Sequence, residues 1–283
     1  MPMKLTQKVA VALLRMKFRL LGIFSKEKAA RKAVQLFCTP QLRNDREHPP
    51  LFKESEKLNF EYNGMTVYGY RWNHPAKWKV LILHGFDSSV INFEQYVQPL
   101  VHKGYEVLAF DAPAHGKSGG DIITAPLYQN MIIYINEHYG PVHSFIAHSL
   151  GGLALTLAME RIKHDQSTRL VLIAPATESV TALDNFFTFL KIKDEKIKRR
   201  FDELIVEMTG RPLSWFSITR AMQHIDARVL WVHDEDDLIT PVSDTLKIKE
   251  QNYPGLQFVI THGLGHRRIY RDKDVLKSIV NFL

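Results

Sequence analysis

From about residue 58 to the end, the chain alternates two hydrophobic rhythms. Short apolar runs fall at 80–83, 106–110, 142–147, 169–174, 228–233 and 256–261, and the segments between them carry apolar residues at helical spacing. Brief, almost wholly apolar runs separated by helices predict strands buried on both faces, hence a mostly parallel sheet. Ahead of them, Asn63-Gly64 between two alternating stretches predicts a tight hairpin. The pattern is that of an α/β fold with a central sheet flanked by helices.

Two stretches depart from this rhythm. Residues 177–224 contain the aromatic run Asn185-Phe186-Phe187-Thr188-Phe189, a highly charged stretch from Asp194 to Ile205, Gly210-Arg211-Pro212 and Ser214-Trp215-Phe216. They predict helices inserted after the sixth strand. At the other end, Leu5, Val9, Leu13, Met16, Leu20 and Ile23 recur at helical spacing, with Lys4, Lys8, Arg15 and Arg19 on another face. This is a basic amphipathic helix with two available destinations. It can pack its apolar face on the rest of the protein, or it can lie on an anionic membrane surface.

Charge bears on that choice. Residues 1–50 hold 11 Lys/Arg and 3 Asp/Glu, a net of +8, and the remaining 26 and 27 give −1, for the +7 of the whole chain. The body is thus near neutral, which argues against nucleic-acid binding. No run reaches the ~18 apolar residues that span a bilayer. The apolar stretch 9–14 is broken by Arg15, Lys17 and Arg19 and lacks a small-residue cleavage site, so it does not read as a signal peptide. A cytoplasmic location follows as an expectation, with peripheral membrane contact through residues 1–24 as its variant. Cys38 is the single cysteine and reads as a buried apolar residue, and the 13 histidines show no metal-ligand spacing. No metal or cofactor is expected. At 283 residues and 45% hydrophobic content the chain suits one globular domain, 51–283 with its insertion at 177–224, preceded by the helical segment 1–50. Oligomeric state leaves no trace.

The chemistry centres on Ala147-His148-Ser149-Leu150-Gly151-Gly152, between an apolar run and a helical one. A sharp strand-to-helix corner needs small residues two before and two after its central serine, and it pushes the hydroxyl outward as a nucleophile. Ala147 and Gly151 meet that need. The alternative role for Ser149 is to cap the helix that begins at Leu150. A nucleophile needs a base and an orienting acid. The strand at 256–261 runs into His262-Gly263-Leu264-Gly265-His266, with a histidine at each end. The strand at 228–233 opens into Asp234-Glu235-Asp236-Asp237.

The order Ser, Asp, His across strand ends resembles the α/β-hydrolase superfamily. The resemblance spans residues 58–283 and includes His84-Gly85-Phe86, similar to the family's His-Gly loop. It also includes Asp111-Ala112-Pro113-Ala114-His115-Gly116-Lys117-Ser118, similar to its Asp-x-Pro-Gly-His-Gly-x-Ser turn with Ala114 for glycine. Ala147 likewise stands where the family's Gly-x-Ser-x-Gly has glycine. The resemblance implies Ser149 as nucleophile, His266 rather than His262 as base, and Asp237 as acid. Asp236 is second choice for the acid, and Asp234 and Glu178 are lesser alternatives. It implies an oxyanion hole from the amides of Phe86 and Leu150, and a cap over the nucleophile formed by the insertion. His84, Gly85, His148, Phe186, Phe187, Trp215 and Phe216 then line the substrate pocket, although each aromatic serves equally well as packing. The implied activity is hydrolysis of a carboxylic ester or thioester, a small molecule with an apolar acyl group. Amide, peptide or carbon–carbon hydrolysis and acyl transfer are alternatives on the same fold, and a non-catalytic binding module is a further one.

Overall fold

The structure is a computed structural model describing residues 5–43 and 48–283; Lys4 of the basic helix lies outside the described residues. The strands are β1 (Glu56–Tyr62), β2 (Met65–Trp72), β3 (Trp78–Leu83), β4 (Tyr105–Phe110), β5 (Ser144–His148), β6 (Arg169–Ile173), β7 (Arg228–Asp234) and β8 (Leu256–Thr261). The helices are α1 (Leu5–Phe24), α2 (Lys26–Cys38), α3 (Pro50–Lys53), α4 (Glu94–His102), α5 (Ala125–Tyr139) and α6 (Leu150–Met159), then α7 (Ser179–Leu190), α8 (Glu195–Thr209), α9 (Ile218–Ala221), α10 (Val242–Glu250), α11 (Gly265–Arg268) and α12 (Lys273–Phe282).

One compact unit comprises Pro40–Glu178 with Ser217–Leu283, the other the chain up to Thr39 with Ser179–Phe216. The first carries the sheet, in the order β1-β2-β4-β3-β5-β6-β7-β8. β1 pairs antiparallel with β2 and β2 with β4, and every other pairing is parallel. All residues of β4 and β5 are buried, as strands covered on both faces require. Asn63 and Gly64 both adopt positive φ, 48° and 73°, the type I′ geometry that closes a two-residue hairpin between β1 and β2. On one face the core interleaves Val80, Ile82, Ile146, Val171 and Val232 of the sheet with Val97 and Leu100 of α4 and Ile279 of α12.

The strand order creates the site. From β3 the chain proceeds to β4 on one side, then crosses to β5 on the other and continues outward to β8. Loops leaving the carboxyl ends of β3 and β5 therefore diverge over one crevice, the place where open α/β sheets bind ligands. Residues 84–89 follow β3, and Ser149 follows β5.

In the second unit, α1 and α2 pack with α7 and α8, so the N-terminal helices group with the insertion. Its core is aromatic: the Phe37 ring meets Phe186 at 5.2 Å and Phe201 at 5.6 Å, and Phe187 meets Phe201 at 5.3 Å. The Asp194 side chain caps α8 by accepting the amides of Lys196 and Ile197 and also pairs with Lys26, while Arg200 pairs with Glu27 at 2.5 Å. Cys38 is buried, which pushes its thiol up to about 12 and leaves it inert.

α1 has two apolar sides. Phe18 and Gly22 are buried on one, where a Cβ at Gly22 would come within 3.0 Å of Ile197. The stripe Leu5, Val9, Leu13, Met16, Leu20 and Ile23 is the other, and it is exposed, from 50% at Leu20 to 77% at Leu5. The helix does pack on the protein, but with the face that the stripe does not include. No helix among the described residues is long and apolar enough to cross a membrane.

Candidate active site

Ser149 sits on the corner between β5 and α6 with φ 54° and ψ −122°, a strained conformation for a residue with a Cβ. Its neighbours hold it there: its amide donates to the Ile173 carbonyl at 3.1 Å and its carbonyl accepts from Ala176 at 3.0 Å. The corner is crowded. A Cβ at Gly151 would lie 2.6 Å from the His84 carbonyl oxygen, and one at Gly85 would lie 2.7 Å from the Ser149 Cβ. Both positions therefore require glycine. The Ser149 hydroxyl makes no capping bond to α6, which removes the helix-cap alternative; it meets His266 Nε2 at 3.0 Å instead.

The far side of that imidazole meets Asp237. His266 Nδ1 lies 2.7 Å from Asp237 Oδ2, while Asp237 Oδ1 accepts the amides of Ile239 at 2.8 Å and Thr240 at 3.0 Å. Burial raises the Asp237 carboxyl. The His266 hydrogen bond and charge, with the two amides, lower it by more, so it stays below the usual aspartate range and ionised at neutral pH. An ionised Asp237 accepts Nδ1–H, leaving the Nε2 lone pair facing Ser149.

The rival carboxylates have other tasks. Asp234 accepts the amides of Asp236, Leu264 and Gly265 and the Thr261 hydroxyl, and so orders the loop that delivers His266. Asp236 accepts the Gly263 amide in the same loop. Glu178 accepts the hydroxyls of Ser217 and Thr219, where the chain leaves and re-enters the sheet-bearing unit. His262 is exposed, 3.2 Å from Glu235. Two supports were not singled out from the sequence. Thr240 Oγ1 donates to Asp237 Oδ2 at 2.8 Å, and His233 Nε2 donates to the Thr240 carbonyl at 2.7 Å. The Thr-Pro pair after Asp237 was the visible signal for Thr240; nothing in the sequence marked His233.

The residues assigned to the pocket separate. A cavity of about 420 Å³ opens beside Ser149, lined by His148, Ser149, His266, Phe86, Ile239 and Tyr270 among others, all from the sheet-bearing unit. Gly85 lies behind Ser149, against its Cβ. His84 does not line the cavity. It is wholly buried, its Nδ1 donating to the Gly85 carbonyl at 2.8 Å and its Nε2 accepting the Ala112 amide at 2.9 Å. Burial pushes it down to about 3, so it is a neutral brace between two loops. Phe186 and Phe187 belong to the aromatic core of the helical unit, Phe216 is buried in that unit, and Trp215 lies under the Arg211 guanidinium at 4.5 Å. Phe186, Phe187 and Phe216 take the packing role, whereas Trp215 is exposed. The cavity's own lining is about equally polar and apolar, with Leu42, Phe86, Ile239 and Tyr270 among its charged and polar groups.

His148 is the most constrained of the lining groups. Its Nε2 donates to the His266 carbonyl at 3.0 Å, and its Nδ1 has no partner among the described residues. Burial first, then the neighbouring His266, hold it well below the ordinary imidazole range, so it is neutral. It fixes the backbone of His266. The oxyanion candidates are placed by the crevice. Leu150 is the first residue of α6, where amides have no acceptor within the helix, and the Phe86 amide has no acceptor among the described residues. No group of three or more His, Cys, Asp or Glu among the described residues is arranged to hold a metal ion.

Known proteins resemble this chain. A family profile described as serine aminopeptidase, S33, matches residues 74–220, just over half of the chain. The uncharacterized hydrolase YugF of Bacillus subtilis is 26% identical over 223 residues, 70% of this chain and 77% of that protein. Among solved structures, an esterase of Pyrococcus furiosus superposes with a TM-score of 0.66 at 20% identity, covering 87% of this chain and 97% of its own. Est1E of Butyrivibrio proteoclasticus, solved with ferulic acid bound, gives 0.61 at 19% identity, covering 80% and 97%. With its mostly parallel sheet and the family match, this chain is a hydrolase of the α/β-hydrolase superfamily and belongs to the serine aminopeptidase, S33, family.

Proposed function

We propose that the protein cleaves a carboxylic ester or thioester through an acyl-enzyme. His266 takes the proton of Ser149 as the hydroxyl oxygen attacks the carbonyl carbon. Asp237 holds the imidazole in the tautomer that allows this and stabilises the imidazolium. The amides of Phe86 and Leu150 take the charge on the carbonyl oxygen. The imidazolium then protonates the leaving group, and water repeats the sequence to release the acid. The observation that carries this reading is the unbroken contact chain from Ser149 Oγ to His266 to Asp237, at 3.0 and 2.7 Å. The family's description names an aminopeptidase, and the superposed Pyrococcus protein is an esterase. A panel of p-nitrophenyl esters, acyl thioesters and aminoacyl p-nitroanilides separates these readings. Turnover of esters or thioesters exceeding that of the anilides by at least about 100-fold is expected; the opposite order would make this an aminopeptidase.

The exposed stripe of α1 supports a second part of the reading, peripheral contact with an anionic membrane. Lys8, Lys17 and Arg19 flank the stripe, and α1 contains no acidic residue. Near an anionic leaflet each such cation contributes about 1 kcal/mol, in addition to burial of the apolar side chains. The protein should float with vesicles containing phosphatidylglycerol, bind phosphatidylcholine vesicles far more weakly, and lose both when Leu13→Glu and Leu20→Glu are combined. A dimer in solution that the double variant dissolves, without vesicle binding, would assign the stripe to a second copy of the chain.

A further inference from the structure

The cavity beside Ser149 has an excess of positive charge. Besides the groups already described, its lining includes three guanidinium groups, Arg43, Arg267 and Arg271, against one carboxylate, Asp87. That carboxylate is already engaged, since its Oδ1 accepts the amides of Gln41 at 2.7 Å and Leu42 at 3.1 Å. None of the three arginines pairs with a carboxylate among the described residues. Arg43 donates to the Gly120 carbonyl, and Arg271 donates to Asn92 Oδ1 at 3.0 Å and lies over the Tyr270 ring at 5.2 Å. Arg267 has no hydrogen-bond or ion-pair partner among the described residues. Elsewhere the protein readily pairs its arginines: Arg71 with Glu56, Arg200 with Glu27 and Arg220 with Glu160.

His148 does not add to this charge, and Asp237 does not cancel it. His148 is neutral, and Asp237 is turned away behind His266, where four donors already satisfy it. Unpaired guanidiniums around a concave site attract an anion and offer it paired, planar donors. Their place along the chain gives a direction. Arg267 directly follows the base, and Arg271 closes the next turn. The base is the group that protonates the leaving group, so this is the side on which the leaving group departs.

We propose that the substrate is an ester or thioester whose leaving group carries an anion, a phosphate or a carboxylate, bound by Arg267 and Arg271 with Arg43 contributing. This rests on the assignment of Ser149, His266 and Asp237 to hydrolysis. The acyl group enters the site uncharged, and the anion leaves with the alcohol or thiol.

Three aryl esters with one acyl group test this: phenyl butyrate, 4-(butyryloxy)benzoate and 4-(butyryloxy)phenyl phosphate. At low ionic strength kcat/KM should favour at least one of the anionic esters by about tenfold or more, mainly through KM. Raising the salt should erode the preference, because the attraction is screened. In an Arg267→Gln/Arg271→Gln double variant the ratio of anionic to neutral ester should fall towards one, and Arg→Lys at both positions should restore part of it. The faster of the two anionic esters distinguishes phosphate from carboxylate. Equal kcat/KM on all three esters, or a preference that survives both salt and the double variant, overturns the proposal. No turnover of any ester and no labelling by a fluorophosphonate would instead overturn the underlying hydrolytic assignment.

Discussion

Ser149→Ala should lower kcat on any substrate of the enzyme by a factor on the order of 10⁴ to 10⁶ and abolish covalent labelling by a fluorophosphonate. In the proposed mechanism the factor is large because the substitution removes the atom that forms the acyl bond and leaves His266 with no proton to accept. What survives is the much smaller effect of a bound carbonyl facing the Phe86 and Leu150 amides. The fold should not notice. Ser149 Oγ is bonded to His266 Nε2 and does not cap α6, and the strained φ of 54° is a property of the backbone that alanine, with the same Cβ, shares. The loss of one hydroxyl hydrogen bond costs about 1 kcal/mol or less. Intact mass after labelling, turnover and thermal unfolding check this together: no adduct, background turnover and a Tm within a few degrees of the parent. An adduct or undiminished turnover in the variant would remove Ser149 from the mechanism.

How much of this was legible in the sequence follows from which interactions are local. The six apolar runs became β3 to β8 within a few residues, and Asn63-Gly64 closed its hairpin, because strand burial and turn chemistry are written in adjacent positions. The corner at Ser149 was legible for the same reason. His266 and Asp237 needed the resemblance, since nothing in the chain between residues 149 and 266 states that three loops meet over one crevice. Faces were harder. α1 is apolar on two sides, and periodicity reports that a stripe exists without saying which side finds a partner; the stronger stripe is the exposed one. Phe186 and Phe187 had the composition of a pocket and became a core with Phe201 of the same insertion and with Phe37, which is remote in sequence. His84 was misplaced because a polar residue beside a nucleophile loop suggests solvent or substrate, whereas both of its ring nitrogens are used inside the protein.

Asp237 offers the most discriminating substitution, because four carboxylates in the sequence compete for the role of acid and each has a distinct set of partners. In Asp237→Asn the side chain keeps an oxygen for the amides of Ile239 and Thr240, so the loop holds its shape. Its new NH₂ group, however, faces His266 Nδ1, where the carboxylate accepted a proton. A donor there requires Nδ1 to be the lone-pair nitrogen and moves the proton to Nε2, where it opposes the Ser149 hydroxyl. The imidazolium also loses its counter-charge. The expected cost is on the order of 10³ to 10⁴ in kcat, the upper figure being that of the corresponding substitution in a serine protease. Thr240 Oγ1, 3.1 Å from Nδ1, can take part of the acceptor role and sets the lower figure. Asp236→Asn removes charge from a group that accepts one amide of the loop and should cost less than about tenfold. Asp234→Asn should act differently again: four donors converge on that carboxylate, so its loss loosens the loop carrying His266 and appears in the unfolding midpoint as well as in kcat. Steady-state kinetics and denaturant unfolding on the three variants separate these outcomes. If Asp237→Asn keeps more than a tenth of the parental kcat while Asp236→Asn falls a thousandfold, the acid is Asp236 and the hydrogen bond at 2.7 Å is incidental to the chemistry.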